Sequence, residues 1–198
     1  MFILTHFLAM LPFALSPVVH SKYAVTYAPG GETVKQVIAR TGAKEVVNGD
    51  YYGKTKSGKH FAFDLVLIKG KRHINYMGRR PVLVIGRNGK VRIEKPYKPQ
   101  KGDFYAVAGS FYPTDPNAKR GRHVVILKSS KKLKFLKIVG TYRQIEKRLK
   151  GVRHIYMDGG SSFNPNVRLP THIIRMANYQ NSPSLDWLGN PQPILVDS

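Results

Sequence analysis

Residues 154–162 read "HIYMDGGSS". A short apolar run ends in Asp158, two glycines and two hydroxyls. A carboxylate at a strand end is expected to be positioned but partly wet. Gly159 and Gly160 let the backbone approach a ligand closely and offer N–H groups to an anion, and Ser161 and Ser162 add hydroxyl donors. Such a set suits a reaction in which one group acts at a carbon while the others hold a phosphate. The same residues also suit a plainer role, an Asp-Gly-Gly turn whose carboxylate caps its own backbone. The stretch alone leaves both open. A second stretch, "NGDYYG" at 48–53, raises the same choice. Asn48 is an amide donor and acceptor, Gly49 supplies a special backbone angle, and Asp50 is a second acid. Tyr51 and Tyr52 are rings for sugar stacking or for the core.

The acids are informative because they are scarce. Thirty-three Lys and Arg face eleven Asp and Glu, a formal charge of +22. Such a field favours anionic partners: nucleic acid, anionic lipid or phosphorylated glycans. A solvated basic surface is the plainer reading. Glu32, Glu45, Glu94 and Glu146 fall in patterns that suggest exposed faces, which leaves Asp50 and Asp158 beside glycines at strand ends. The run "KSSKKLKFLK" is expected to put lysines on one face of a hairpin, a solvated face or a nucleic-acid contact. The chain has no cysteine, so disulfides and thiolate metal sites are excluded. Its seven histidines show no HxH or HExxH spacing, which argues against zinc. GxSxG, the P-loop and GxGxxG are all absent, and nothing in the sequence requires a cofactor.

The elements that must position these residues are legible in part. "YAVTY" (23–27) alternates as a strand, and "PGG" is expected to turn the chain. A helix follows at 33–41, with Thr33 and Gln36 as a capping box, Val34, Val37 and Ile38 on one face, and Gly42 as its stop. "KEVV" is a short strand and "FAFDLVLIKGK" (61–71) reads as one strand. Asn88-Gly89 predicts a hairpin between "PVLVIG" and "KVRIEK". "DFYAVAG" (103–109) is a strand, and "HVVILK" and "LKFLKIV" form a second hairpin. A helix over 142–150 has a Thr141/Gln144 capping box, an apolar face of Tyr142, Ile145 and Leu149, and Gly151 as its stop. "VRHIYM" then delivers Asp158.

The two helical units echo one another: Thr-x-x-Gln, helix, Gly, strand, polar residue, Gly. The echo predicts that their strands lie near each other in one sheet, with Asn48-Gly49 and Asp158-Gly159 emerging at the same edge. The length and an apolar fraction of 42% suit one domain with a core. The fold expected is α+β, one domain, a mixed and mostly antiparallel sheet with two or three packed helices. Residues 1–20 form an apolar segment whose first nineteen residues carry no charge, readable as a secretory signal, a membrane anchor or a buried first strand. A signal would make the protein secreted or envelope-bound, and otherwise it is cytoplasmic. In the Pro- and Asn-rich last forty residues only "THIIRMA" and "PILV" look ordered, and Trp187 is expected to plug a core edge.

Taken in order, "VVNGDYYG" (46–53), "KRGRHVVIL" (119–127) and "IYMDGGSS" (155–162) resemble the motifs of the phosphodiester glycosidase domain family. The likeness covers roughly residues 23–176 and implies one such domain over 21–198. Asp50 stands where that pattern usually has Gly, and His123 where it has Thr. The resemblance implies an active site lined by Asn48, Gly49, Arg122, Asp158, Gly159, Gly160 and Ser161. The implied activity is hydrolysis of a glycosyl phosphodiester on an anionic glycan or sugar-phosphate substrate. Cleavage at the anomeric carbon passes through an oxocarbenium-like state that a carboxylate stabilises. Arg122 would clamp the phosphate, Asp158 would be base or electrostatic stabiliser, Asp50 a second carboxylate, and Asn48 a further catalytic group. The alternatives are a basic nucleic-acid-binding protein on a related scaffold and a non-catalytic glycan-binding module. Asp50, Arg122 and Asp158 in one pocket favour the hydrolase, and a continuous Lys/Arg stripe elsewhere favours nucleic acid. An Asp158 buried and fully bonded to backbone favours the silent module.

Overall fold

The computed structural model describes residues 21–112 and 115–177. Residues 1–20, Trp187 and the "PILV" segment lie outside them. The first strand, β1 (Tyr23–Glu32), begins where the alternation predicts but does not end at "PGG". Gly30 and Gly31 take φ of +93° and +81°, and the register with its partner shifts between Tyr27 and Glu32. Glycine in that region allows a bulge, so extra residues are absorbed and the strand continues.

Helix α1 (Val34–Thr41) carries the predicted capping box, with the Thr33 hydroxyl accepting from the Gln36 amide and Gln36 accepting from the Thr33 amide. Such a cap is worth about 1 kcal/mol. Gly42 closes the helix in the left-handed region. Val37 is fully buried, but Ile38 points outward and is 42% exposed, so the apolar face is narrower than its sequence pattern. Helix α2 (Tyr142–Leu149) repeats the Thr141/Gln144 box. Its buried Ile145 and Leu149 meet Val124, Ile126 and Tyr156, each burial stabilising by about 2 kcal/mol.

The remaining strands are β2 (Ala43–Asn48), β3 (Tyr52–Lys54), β4 (His60–Ala62), β5 (Val66–Ile68), β6 (Lys71–Ile74), β7 (Val82–Gly86), β8 (Val91–Glu94), β9 (Asp103–Ala108), β10 (Arg120–Ser129), β11 (Lys132–Gly140), β12 (His154–Met157) and β13 (Leu169–Met176). The fold is α+β and strand-dominated, with antiparallel pairing. Among the described residues these strands divide into four sheets, ordered β1-β13-β2, β11-β10-β12, β3-β4 and β6-β5-β9-β7-β8. Two bonds between Ser110 and Tyr156, each 2.8 Å, tie the five-stranded sheet to β12. One large core runs between the sheets, from Val25 and Val47 through Leu83 and Val107 to Val125 and Ile155. No helix among the described residues is long and apolar enough to cross a membrane.

The single strand expected over 61–71 is broken into β4, β5 and β6. Asp64 interrupts it: its buried carboxylate accepts from the Leu65 and Met77 amides at 2.7 and 2.8 Å. A side chain that bonds backbone in this way replaces ladder bonds. Lys69 and Gly70 then turn the chain with positive φ. The lysines of the β10–β11 hairpin do not share one face. Lys134 lies opposite Ile126 and Lys137 opposite His123, and alternation puts those positions on opposite sides.

The echoed strands, β2 and β12, belong to different sheets, which corrects the expectation of one sheet. Their ends nonetheless meet. The Asp158 amide donates to Gly49 O at 3.1 Å, and Asn48 Nδ2 donates to Asp158 O and Ser162 O at 3.0 and 2.7 Å. Gly49 is needed at this junction for closeness: a Cβ there would stand 2.5 Å from Thr171 Oγ1 on β13. Gly49→Ala is therefore expected to cost about 2 kcal/mol, read as a fall in the urea midpoint. An unchanged midpoint would mean that Thr171 yields without loss.

Candidate functional site

Strand β12 is apolar and buried up to Met157, and the chain then turns through Asp158-Gly159 into a 3-10 turn, Gly160–Phe163. Gly159 packs where a Cβ would lie 2.7 Å from Gly121 O, which presses the turn against β10. Arg120 and Arg122 project from the start of that strand. Between them is a pocket of about 100 Å³ lined by Tyr51, Asp115, Arg120, Arg122, Tyr156, Met157, Asp158, Gly159 and Gly160.

Asp158 is 6% exposed, drier than a strand end implies. Its Oδ1 accepts from the Gly159 amide at 3.0 Å, so the self-capping turn is real and that amide is not available to an anion. Its Oδ2 is buried close to the Ser162 hydroxyl, without a well-aligned bond to it. Burial pushes the carboxyl up to about 6, opposed by the Ser162 hydroxyl, the Gly159 amide and the charge of Arg80.

Arg122 is also 6% exposed. Its Nη2 donates to the carbonyls of Asp115 and Ala118 at 2.6 and 3.3 Å, while Nε has no acceptor. It forms no ion pair with any described residue. A buried guanidinium held only by carbonyls keeps most of its charge uncompensated, and an anion is the natural complement. Arg120, nearer solvent, pairs with Asp115 at 2.8 Å.

The other sequence candidates lie behind this pocket. Asp50 is fully buried and does not line it, which corrects its assignment as a second catalytic carboxylate. Arg80 Nη1 stands 2.5 Å from Asp50 Oδ1, and Oδ2 accepts from the Asp64 amide at 2.7 Å. Burial pushes the Asp50 carboxyl up to about 7 against the pull of Arg80 and that amide. Asn48, 1% exposed, is taken up in bracing the 158–162 turn, a positioning role rather than a catalytic one. Gly49 packs on Thr171. Ser161 is exposed and Ser162 buried, and neither lines the pocket.

Arg80 is the residue that sequence reasoning missed. Its guanidinium lies 4.7 Å from the centroid of the Tyr51 ring, its Nε donates to Gly109 O at 2.9 Å, and its charge acts on Asp158. The only signal was a pair of arginines ahead of Pro81. His123 and His172 are the second surprise. Both are buried beside Asn48, whose amide donates to His123 Nδ1 at 3.4 Å and whose register partner is His172. Burial lowers them to about 4 and about 3, aided by Lys137 and by Arg40 respectively, so both are neutral struts at ordinary pH. No three His, Asp or Glu gather as a metal-ligand set among the described residues. A scan against protein-family models finds no match, and a search of curated proteins finds none.

Proposed function

We propose that this protein hydrolyses a glycosyl phosphodiester, cleaving the bond between an anomeric carbon and a phosphate oxygen. The observation that carries the reading is the pairing, in one pocket, of a buried carboxyl raised to about 6 with a buried guanidinium that lacks a carboxylate partner. A phosphate group answers both needs of that pocket: it neutralises Arg122, and it leaves the adjacent sugar carbon to Asp158. As the C1–O bond breaks, its electron pair goes to the phosphate oxygen, and Arg122 holds the charge that results. A phosphomonoester is a good leaving group, so no strong general acid is called for. Water adds to C1 and gives its proton to Asp158, whose carboxylate also stabilises the oxocarbenium-like state. The expected surplus of positive field brings anionic substrates to the mouth.

The test is release of free sugar from a panel of glycosyl phosphodiesters, including a nucleoside-diphosphate sugar. Arg122→Ala is expected to lower kcat/KM about a hundredfold, with Arg122→Lys recovering part of it. Absence of turnover on every member, with salt-sensitive binding of DNA or RNA instead, would reject the proposal.

A further inference from the structure

The hairpin β3–β4 and the chain just after it, with Met77 from beyond β6, expose large apolar side chains. Phe61 is 37% exposed, Phe63 52% and Met77 66%. These side chains are not loose ends of the core. Gly53 and Phe61 are paired across the hairpin, and the pairing goes one step further, the Phe63 amide donating to Tyr51 O at 3.1 Å. A Cβ on Gly53 would lie 2.5 Å from the Phe61 ring and 3.0 Å from the Phe63 ring. Both rings therefore lie over the bare backbone of Gly53, edge-to-face with centroids 5.5 Å apart. Strand alternation puts Tyr51 on that same side, and Tyr51 lines the anion pocket.

Beneath the strip the support is hydrogen-bonded and largely buried. Asp64 binds the Met77 amide, its own amide binds Asp50, and Asp50 holds Arg80 against Tyr51. Beyond the strip the hairpin ends in a turn with exposed Lys54, Lys56 and Lys59. That turn is ordered by bonds from the Gly58 amide to Thr55 O and the Lys59 amide to Thr55 Oγ1. The order along the surface is thus cation, aromatic strip, cations.

Resting on the function just proposed, we propose that Tyr51, Phe63 and Phe61 form a sugar subsite, and that the Lys54–Lys59 turn takes the next phosphate of a repeating sugar-phosphate polymer. A phenyl ring offers an apolar face with no hydrogen-bonding group, suited to the C–H face of a pyranose. Large exposed apolar patches mark binding surfaces. A ligand that satisfies pocket, strip and turn together alternates anion and apolar ring face, and on the function just proposed Asp158 acts at an anomeric carbon at its start.

The experiment measures binding to the Asp158→Asn protein by calorimetry, using phosphoglycan oligomers with one and with three sugar 1-phosphodiester linkages. The longer oligomer is expected to bind roughly tenfold tighter. Adding Phe63→Ala removes that advantage, Phe63→Trp keeps it, and Phe61→Ala gives an independent reading on the same strip. Equal binding of the two oligomers overturns the inference, as does an advantage untouched by both alanine changes. Equal competition by a thymidine oligonucleotide or by anionic vesicles of matched charge also overturns it. Turnover by the wild-type protein, followed in parallel, separates the two proposals. Phe63-dependent binding without turnover rejects the hydrolase alone, and turnover without a length effect rejects the polymer alone.

Discussion

On the proposed reaction, Asp158→Asn is expected to lower turnover of a glycosyl phosphodiester about a thousandfold, within the range for losing a positioned acid–base group, without unfolding the protein. Asparagine keeps an oxygen for the Gly159 amide and replaces the other carboxylate oxygen with an NH2 group, which removes the charge and the base. The sign of the stability change follows from the raised carboxyl, about 6 against an ordinary 3.8. The native state holds this proton more tightly than the unfolded chain. Its contribution is therefore fully present below pH 3.8 and is lost as pH rises through about 6. Removing the ionisable group leaves Asp158→Asn as stable as wild type at pH 8, or more stable by at most about 3 kcal/mol. Turnover of the wild type is expected to rise with pH through about 6, because on the proposed reaction the base must be ionised to take the proton from water. A pH–rate profile flat across that range, or a variant that keeps its rate, would take Asp158 out of the chemistry.

Asp50→Ala is expected to lower stability by about 2 kcal/mol, since it takes a fully buried acceptor away from a half-buried guanidinium and a buried amide. Arg80 loses its counter-ion and the Asp64 amide loses its acceptor. Asp50→Asn costs less, because an amide oxygen can still accept from Asp64. Urea denaturation of the two variants gives the comparison directly. Their activities separate a strut from a catalyst: Asp50→Asn is expected to keep turnover within about tenfold of wild type, far from the loss at Asp158. A thousandfold loss in Asp50→Asn with normal stability would return Asp50 to the reaction and reopen the two-carboxylate mechanism.

Local chemistry in the sequence foretold what local chemistry decides. Both capping boxes, the Asn88-Gly89 hairpin and the glycine that caps the first helix sit where side-chain-to-backbone bonds and backbone angles require them. The second helix instead ends at Lys150 in extended geometry, and Gly151, with φ of +75°, serves the turn closed by the Val152 amide on Leu149 O. The meeting of Asn48-Gly49 with Asp158-Gly159 was legible as an echo, although the two strands reach it from separate sheets. What was not legible depends on contacts far apart in the chain. Asp50 looks like Asp158 in sequence, an acid beside a glycine. It turns inward because Arg80, Asp64 and Thr171 come from three other elements to receive it. Asp64 broke a run that hydropathy alone reads as one strand, since a buried carboxylate can replace ladder bonds by its own. The apolar strip of Phe61 and Phe63 was hidden in the same run, whose aromatics look like core until the break exposes them.

The placement of β13 between β1 and β2 has a consequence for how the molecule comes into being. Residues 43–48 find their sheet partner only in 169–176, so β2 stays unpaired while the chain between them is being synthesised. Asn48 must then reach Asp158 across a separation of 110 residues. Contacts of that span close late and slowly, after the local hairpins have formed. A ribosome-bound chain that has completed the β7–β8 and β10–β11 hairpins holds Arg122 but no assembled pocket. The pocket therefore assembles only with one of the last strands to emerge, and a chain halted before residue 169 would leave both β1 and β2 without a sheet partner.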